Sequence, residues 1–210
     1  MSKITGMELL QEIPPKVLLM YEAVQQLIGE GCSVSQIRVS SITERAGIGK
    51  GTAYEYFDSK EEILVSAFIF YVRGLAEEMK RRLMPLGSLR EQINYIFDNL
   101  DRESQRKYCF VHFVHEVTDN SQFGRMVKER LQESSVARNF AEYLFGDIIR
   151  QGIERGDINP DIPMDYLVYT VFCKMLTYMM CICTEECFDT DVPTLRRLII
   201  EGILRDMKGN

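Results

Sequence analysis

Apolar side chains recur along this chain at steps of three and four, and no run of strict alternation interrupts them. A helix repeats every 3.6 residues and a strand every two, so this spacing commits the chain to helices. Val17, Tyr21, Val24 and Ile28 form the first stripe. Pro14 and Pro15 precede it, and Gly29 with Gly31 closes it, which is the start and stop asymmetry of a helix. Ser33 to Gln36 reads as a polar loop. Two short helices follow, Val39–Ala46 and Lys50–Phe57, separated by Gly47-Ile48-Gly49. Ser59 opens a fourth with Glu62 completing a capping box, and Pro85 and Gly87 stop it after Leu83. Ser88 and Glu91 repeat the cap for a fifth helix. Tyr108–Val117, Gln122–Arg155 with a break near Ser134-Ser135, Met164–Cys183 and Val192–Met207 complete the series. The expected fold class is all-α, with a compact N-terminal unit and a larger helical body, divided as 1–60 and 61–210.

The longest apolar run, Leu167 to Cys183, tests a membrane reading. It has 17 residues with Lys174 in its middle, short for a span and charged where a span is least tolerant. A buried helix of a soluble protein is expected instead. No apolar leader stands within Met1 to Leu10, so a cytoplasmic chain with reduced thiols is expected. The net charge of −6, from 25 basic and 31 acidic residues, argues against a wholesale nucleic-acid coat but leaves room for a small basic face.

The stretch VSSITERAGIGKGTAYEYFDSKEEIL, Val39 to Leu64, is the informative one. A short helix, a glycine-containing turn and a second short helix make a helix-turn-helix. Gly47 can adopt the left-handed conformation that ends the first helix. Ile42, Ala46 and Ile48 hold the pair together. Lys50, Thr52, Tyr54 and Tyr56 supply a phosphate cation and hydroxyls suited to a duplex surface. The run A46-G-I-G-K-G-T-A-Y-E-Y-F57 followed by S59-K-E-E62 resembles the tetracycline-repressor (TetR) family of bacterial transcription regulators. The specific part of the resemblance covers about the first 65 residues.

That resemblance implies a DNA-binding domain over 1–60, followed by an effector-binding and dimerisation domain over 61–210. It makes Lys50, Gly51, Thr52 and Tyr54 the recognition-helix residues nearest DNA, with Tyr56 and Lys60 on the phosphate backbone. Ser40 and Ser41 stand at the start of the preceding helix, against the backbone. Gly49 occupies the position where the family usually carries a capping Ser, so that cap must be weaker or supplied otherwise. Residues 1–60 carry 6 basic and 7 acidic side chains. Affinity must therefore come from local placement of Arg38, Arg45, Lys50 and Lys60, in two subunits rather than one. The implied function is a repressor that binds a palindromic operator as a homodimer and is released by a small-molecule effector acting through the fourth helix.

The residues of the body bear on this independently. Met164–Cys183 is apolar nearly all round, and a helix of that kind needs cover on several faces. Leu167 and Val171 there, with Leu195, Leu198, Ile199, Gly202 and Ile203 of the last helix, are the expected dimer interface. Packing within one subunit would give the same pattern. Phe110, Phe113, Tyr143, Phe172, Met175, Tyr178 and Met179 are the candidate effector-lining set, and equally a core. The effector's class is not readable. His112 and His115 with Glu116 lack a further clear metal ligand, so no metal is expected. Cys181, Cys183 and Cys187 lack paired CxxC spacing and read as packed thiols, with a redox or metal switch as the minority alternative. No cofactor is expected. An enzyme finds no nucleophile–base pair or phosphate loop in support. An adaptor that keeps the fold but not DNA binding is the rival reading.

Overall fold

The computed structural model describes residues 4, 6, 12–104, 122–133, 140–183 and 189–209, and among these every regular element is helical. The helices are α1 (Pro15–Gly29), α2 (Val39–Arg45), α3 (Lys50–Tyr56), α4 (Lys60–Leu83), α5 (Leu89–Ser104), α6 (Gln122–Glu133), α7 (Phe140–Glu154), α8 (Met164–Cys183) and α9 (Val192–Lys208). The helix expected over Tyr108–Val117 lies outside the described residues. The run expected over Gln122–Arg155 forms two helices, α6 and α7. The chain divides into two compact units: one holds the described residues up to Ala76 together with α6, the other those from Glu77 to Ser104 and from Phe140 onward.

In the first unit, α1 begins at Pro15 and buries Val17, Met20, Tyr21, Ala23, Val24 and Leu27, the predicted stripe with its flanks. Ile42, Ala53, Phe57, Ile63 and Leu64 close against it with almost no exposure. Burying side chains of this size favours folding by about 1.5–3 kcal/mol each. The Tyr21 ring lies 5.2 Å from Phe70 and 6.4 Å from Phe57. Phe123 of α6 meets Phe68 edge-on at 5.6 Å. Gly47 has φ +64. Around it the Ile48 amide donates to the Thr43 carbonyl (3.0 Å) and the Gly47 amide to that of Glu44 (3.2 Å), the paired bonds that end a helix with a left-handed glycine. This turn fixes the angle at which α3 leaves α2. Ser59 caps α4 by accepting from the Glu62 amide (3.1 Å), while the Glu62 carboxylate accepts from the Asp58 amide (2.7 Å).

In the second unit, α8 packs against α5, α7 and α9. Leu167, Val168, Val171, Phe97, Phe145 and Ile203 form its apolar centre. Polar groups hold its edges. Gln92 is fully buried; its amide donates to the Leu83 carbonyl (3.1 Å) and to Gln151 (2.7 Å), and its oxygen accepts from Arg155 (2.8 Å). Asp191 caps α9 by accepting from the Thr194 amide at 2.9 Å, and those bonds hold its carboxyl below the usual carboxylate range. Among the described residues, no helix is long and apolar enough to cross a membrane. Lys174, the charge inside the apolar run, pairs with Asp206 of α9.

Candidate nucleic-acid interface

The starts of three helices converge on one open cleft of about 450 Å³, lined by Ser35, Gln36, Ile37, Arg38, Val39, Ser40, Lys50, Tyr54 and Lys60. Arg38 immediately precedes α2, Lys50 opens α3 and Lys60 opens α4. The short loops before these helices bring their first residues together. Three cations, two serines and a phenol line the cleft, and no carboxylate does. Among the described residues, Arg38 and Lys50 form no ion pair. Lys60 is steered by its own neighbours: its ammonium lies 3.5 Å from the Ser35 carbonyl and 3.6 Å from Glu61. Unpaired cations in a concave polar surface attract an extended polyanion, because their charge is not cancelled locally.

Four of the eight residues predicted for DNA contact, Ser40, Lys50, Tyr54 and Lys60, line this cleft. Gly51 is exposed beside it, and Ser41 and Thr52 are half-buried. Tyr54 is 48% exposed. Tyr56 departs from the reading of two exposed tyrosines: it is half-buried and packs against the apolar core of its unit. Two residues apart on a helix is about 200° of rotation, so Tyr54 and Tyr56 cannot share a face. Arg45 also departs from the expected set of local cations. Its guanidinium donates to both oxygens of Glu30, at 2.5 and 2.8 Å. That fork lowers the Glu30 pKa and raises that of Arg45. Ser35, Gln36 and Arg38 are the lining residues that the motif did not supply. Arg38 was visible only as a local positive charge.

Gly49 precedes α3 with φ −73 and ψ 146, and no side chain caps that helix. A Cβ at Gly49 would meet only the Thr52 hydroxyl, at 4.0 Å. The recognition helix is held from beneath instead, through Ala53, which has no exposed surface.

Residues 28–67 match the family described as "Bacterial regulatory proteins, tetR family", a span that contains α2, α3 and the whole cleft. The chain belongs to the tetR family. The "Fatty acid metabolism regulator protein" of Bacillus subtilis (strain 168) is 32% identical over 79 residues, 38% of this chain and 40% of that relative. The match thus spans well under half of the relative's length. FadR of Bacillus subtilis, solved in complex with stearoyl-CoA, has the same fold, with a TM-score of 0.62 at 20% identity over 89% of this chain and 97% of that one. The TetR-family regulator CifR, solved as a cysteine mutant with 26-base-pair operator DNA, superposes with a TM-score of 0.63 at 19% identity, covering 92% and 97%.

TetR-family regulators pair a helix-turn-helix with a helical body, and the body residues singled out in the sequence fall into separate environments. Leu167, Val171 and Ile203 are buried within the chain itself. Gly202 is buried too, and the group that approaches it is the Lys174 ammonium of α8, 3.1 Å from where a Cβ would stand. Leu195 and Ile199 are half-buried and Leu198 is 53% exposed. The outward face of α8 is a set the sequence reading missed: Tyr166, Tyr169, Cys173, Thr177 and Met180, all exposed. They step by three and four, one position off the Leu167 stripe. Thr177 donates its hydroxyl to the Cys173 carbonyl (2.9 Å), so its polar group is satisfied within α8.

Of the effector-lining set, Phe110 and Phe113 lie outside the described residues, as do His112, His115, Glu116, Cys109 and Cys187. Met175, Tyr178 and Met179 are buried and Phe172 is half-buried. Tyr178 stacks on Phe97 at 4.9 Å and donates its hydroxyl to Asp101 (2.5 Å). Burial, and then that bond, push its pKa far above the usual phenol value. It also lines a cleft of about 530 Å³ with Arg90, Arg196 and Arg197. Tyr143 donates its hydroxyl to Glu77, and Lys80 sits 3.9 Å above its ring. Cys173 is exposed, Cys181 is buried and Cys32 is half-buried.

Proposed function

We propose that this TetR-family chain is a cytoplasmic transcriptional repressor that binds a palindromic operator as a homodimer and leaves it when a small molecule binds the helical body. The carboxylate-free cleft, with Arg38, Lys50 and Lys60 around the exposed Tyr54, carries the reading. The DNA-contacting work falls to residues 1–60, and effector binding and dimerisation to 61–210. Phosphates along one strand would be held by the three cations and by the hydroxyls of Ser35, Ser40 and Tyr54, which fixes the register of α3 in the major groove. Lys50, Gly51 and Thr52, on the exposed start of α3, would reach base edges.

Few phosphate contacts per subunit make a second subunit necessary for useful affinity. The exposed apolar face of α8, continued by Leu195, Leu198 and Ile199 of α9, supports pairing with a second copy. A face of that kind left in water is unfavourable, and two helices from each subunit would bury it as a four-helix interface. The effector would enter the body near Phe172, Met175 and Met179. Stearoyl-CoA, held by the Bacillus subtilis regulator, is the first compound to try. By linkage, effector and operator must weaken each other's binding by the same factor.

Selection from a random duplex library at low salt tests the reading, with a Tyr54→Ala, Lys60→Ala variant as control. The wild type alone should enrich a palindrome whose half-sites are spaced by the two-fold axis. A folded dimer that enriches no sequence would sink the DNA-binding reading in favour of an adaptor.

A further inference from the structure

We propose that α4 carries a built-in hinge at Gly74, and that this hinge lets the two ends of the helix move independently. The function assigned to the hinge rests on the regulator reading above.

The early turns of α4 are held all round. Ile63, Leu64, Val65, Ser66, Ala67 and Ile69 are buried, and such closely consecutive positions cover the full circumference of a helix. The N-terminal segment adds a strap. The Ser66 hydroxyl donates to the Ile4 carbonyl (3.2 Å). Gly6, at φ +82, lies so near that a Cβ on it would stand 2.2 Å from the Ser66 carbonyl oxygen.

The last turns of α4 are tied down differently. Glu77 accepts from Tyr143, and Lys80 pairs with Asp147 at 3.3 Å while covering the Tyr143 ring. The Leu83 and Met84 carbonyls accept from Gln92 and Gln151, both at 3.1 Å.

Between these fixed stretches stands Gly74, exposed, followed by Leu75 at 48% exposure. A Cβ on Gly74 would meet nothing within 4 Å. No close packing therefore requires glycine there. What it does is weaken the helix locally, by roughly two- to fivefold in the opening equilibrium relative to Ala. The weak point falls two residues before Ala76, where the first compact unit ends. A helix held at both ends and weakened once between them bends at the weak point.

Gly74→Ala tests this in a variant that should fold at least as well as the wild type. Hydrogen exchange on the full-length protein should find the amides of 74–78 opening faster than those of 64–69, and the substitution should slow them about two- to fivefold. With operator variants whose half-sites are moved apart or together by one base pair, the wild type should tolerate the change. Gly74→Ala should lose about tenfold more affinity for the respaced sites while holding the best site within about twofold. Equal tolerance in the two proteins overturns the hinge, as does wild-type exchange at 74–78 no faster than at 64–69. If the wild type enriches no operator, the regulator reading fails, and exchange alone then decides whether α4 opens at Gly74.

Discussion

In the unit built on α1 to α3, the buried polar side chains are Thr43 and Ser66, and each bonds a backbone carbonyl while the charged groups stand outside. In the unit built on α5, α7, α8 and α9, polar side chains join the helices. Gln92 is bound at both ends of its amide, and Tyr178, Asp101, Arg196 and Asp98 form a continuous chain. The first unit is an apolar wedge that presents a fixed cationic surface. The second depends on pairings between distant residues, which ligands, protons or salt can disturb. That contrast suits a molecule with one constant surface and one responsive body.

The contrast can be broken where each unit is most exposed to damage. Phe57→Ala removes a ring with 1% exposure from the apolar wedge. It should cost about 3–5 kcal/mol, read by urea unfolding, and should abolish operator binding with it. A loss near 1 kcal/mol would mean that the wedge is loosely packed. Gln92→Leu strikes the polar unit. It leaves the Leu83 carbonyl, Gln151 and Arg155 short of a partner, and should cost about 2–3 kcal/mol although it adds apolar surface. Thr43→Val, the counterpart in the first unit, should cost no more than about 1 kcal/mol, because its hydroxyl serves only its own helix.

Acid should sharpen the difference. Glu78, Asp147, Asp191 and Glu201 of the second unit have pKa values lowered by arginine partners or by the Thr194 amide, whereas in the first unit Glu30 is the described carboxylate so lowered. A carboxylate with a lowered folded-state pKa stabilises above its unfolded value near 4 and loses that contribution as pH falls through the folded value. Thermal scans between pH 6 and pH 3 should therefore find the second unit melting earlier than the first as acid is added. Simultaneous loss of both at every pH would erase the distinction. The smallest effect is expected at Gly49→Ser, where φ is ordinary and space is open. A capping hydroxyl there should stabilise α3 by a few tenths of a kcal/mol, visible as slower amide exchange within α3 alone.

The same contrast explains what could be read from residues alone. Gly47, Ser59 with Glu62, and the spacing of Ile42, Ala46 and Ile48 act over a few residues, so the helix-turn-helix was legible, as were α4 and α5 with their caps. Which cations serve a ligand was not, because Arg45 is claimed by Glu30, fifteen positions away. In the body, α8 is apolar nearly all round, so periodicity could not say that Leu167 and Val171 face inward while Tyr166, Tyr169 and Met180 face water. Tyr143 read as a lining residue, yet its hydroxyl is bound to Glu77, 66 positions away. Pairings at that separation leave no local signature.

The claim that the cleft at Arg38, Lys50 and Lys60 is the DNA-binding surface is tested most directly by the salt dependence of operator affinity. Arg38→Ala and Lys50→Ala should each reduce the slope of log K against log salt by about two for a dimer, one for each phosphate released. Arg45→Ala, already neutralised by Glu30, should leave the slope unchanged. A slope insensitive to Arg38 and Lys50 but reduced by Arg45→Ala would contradict the account.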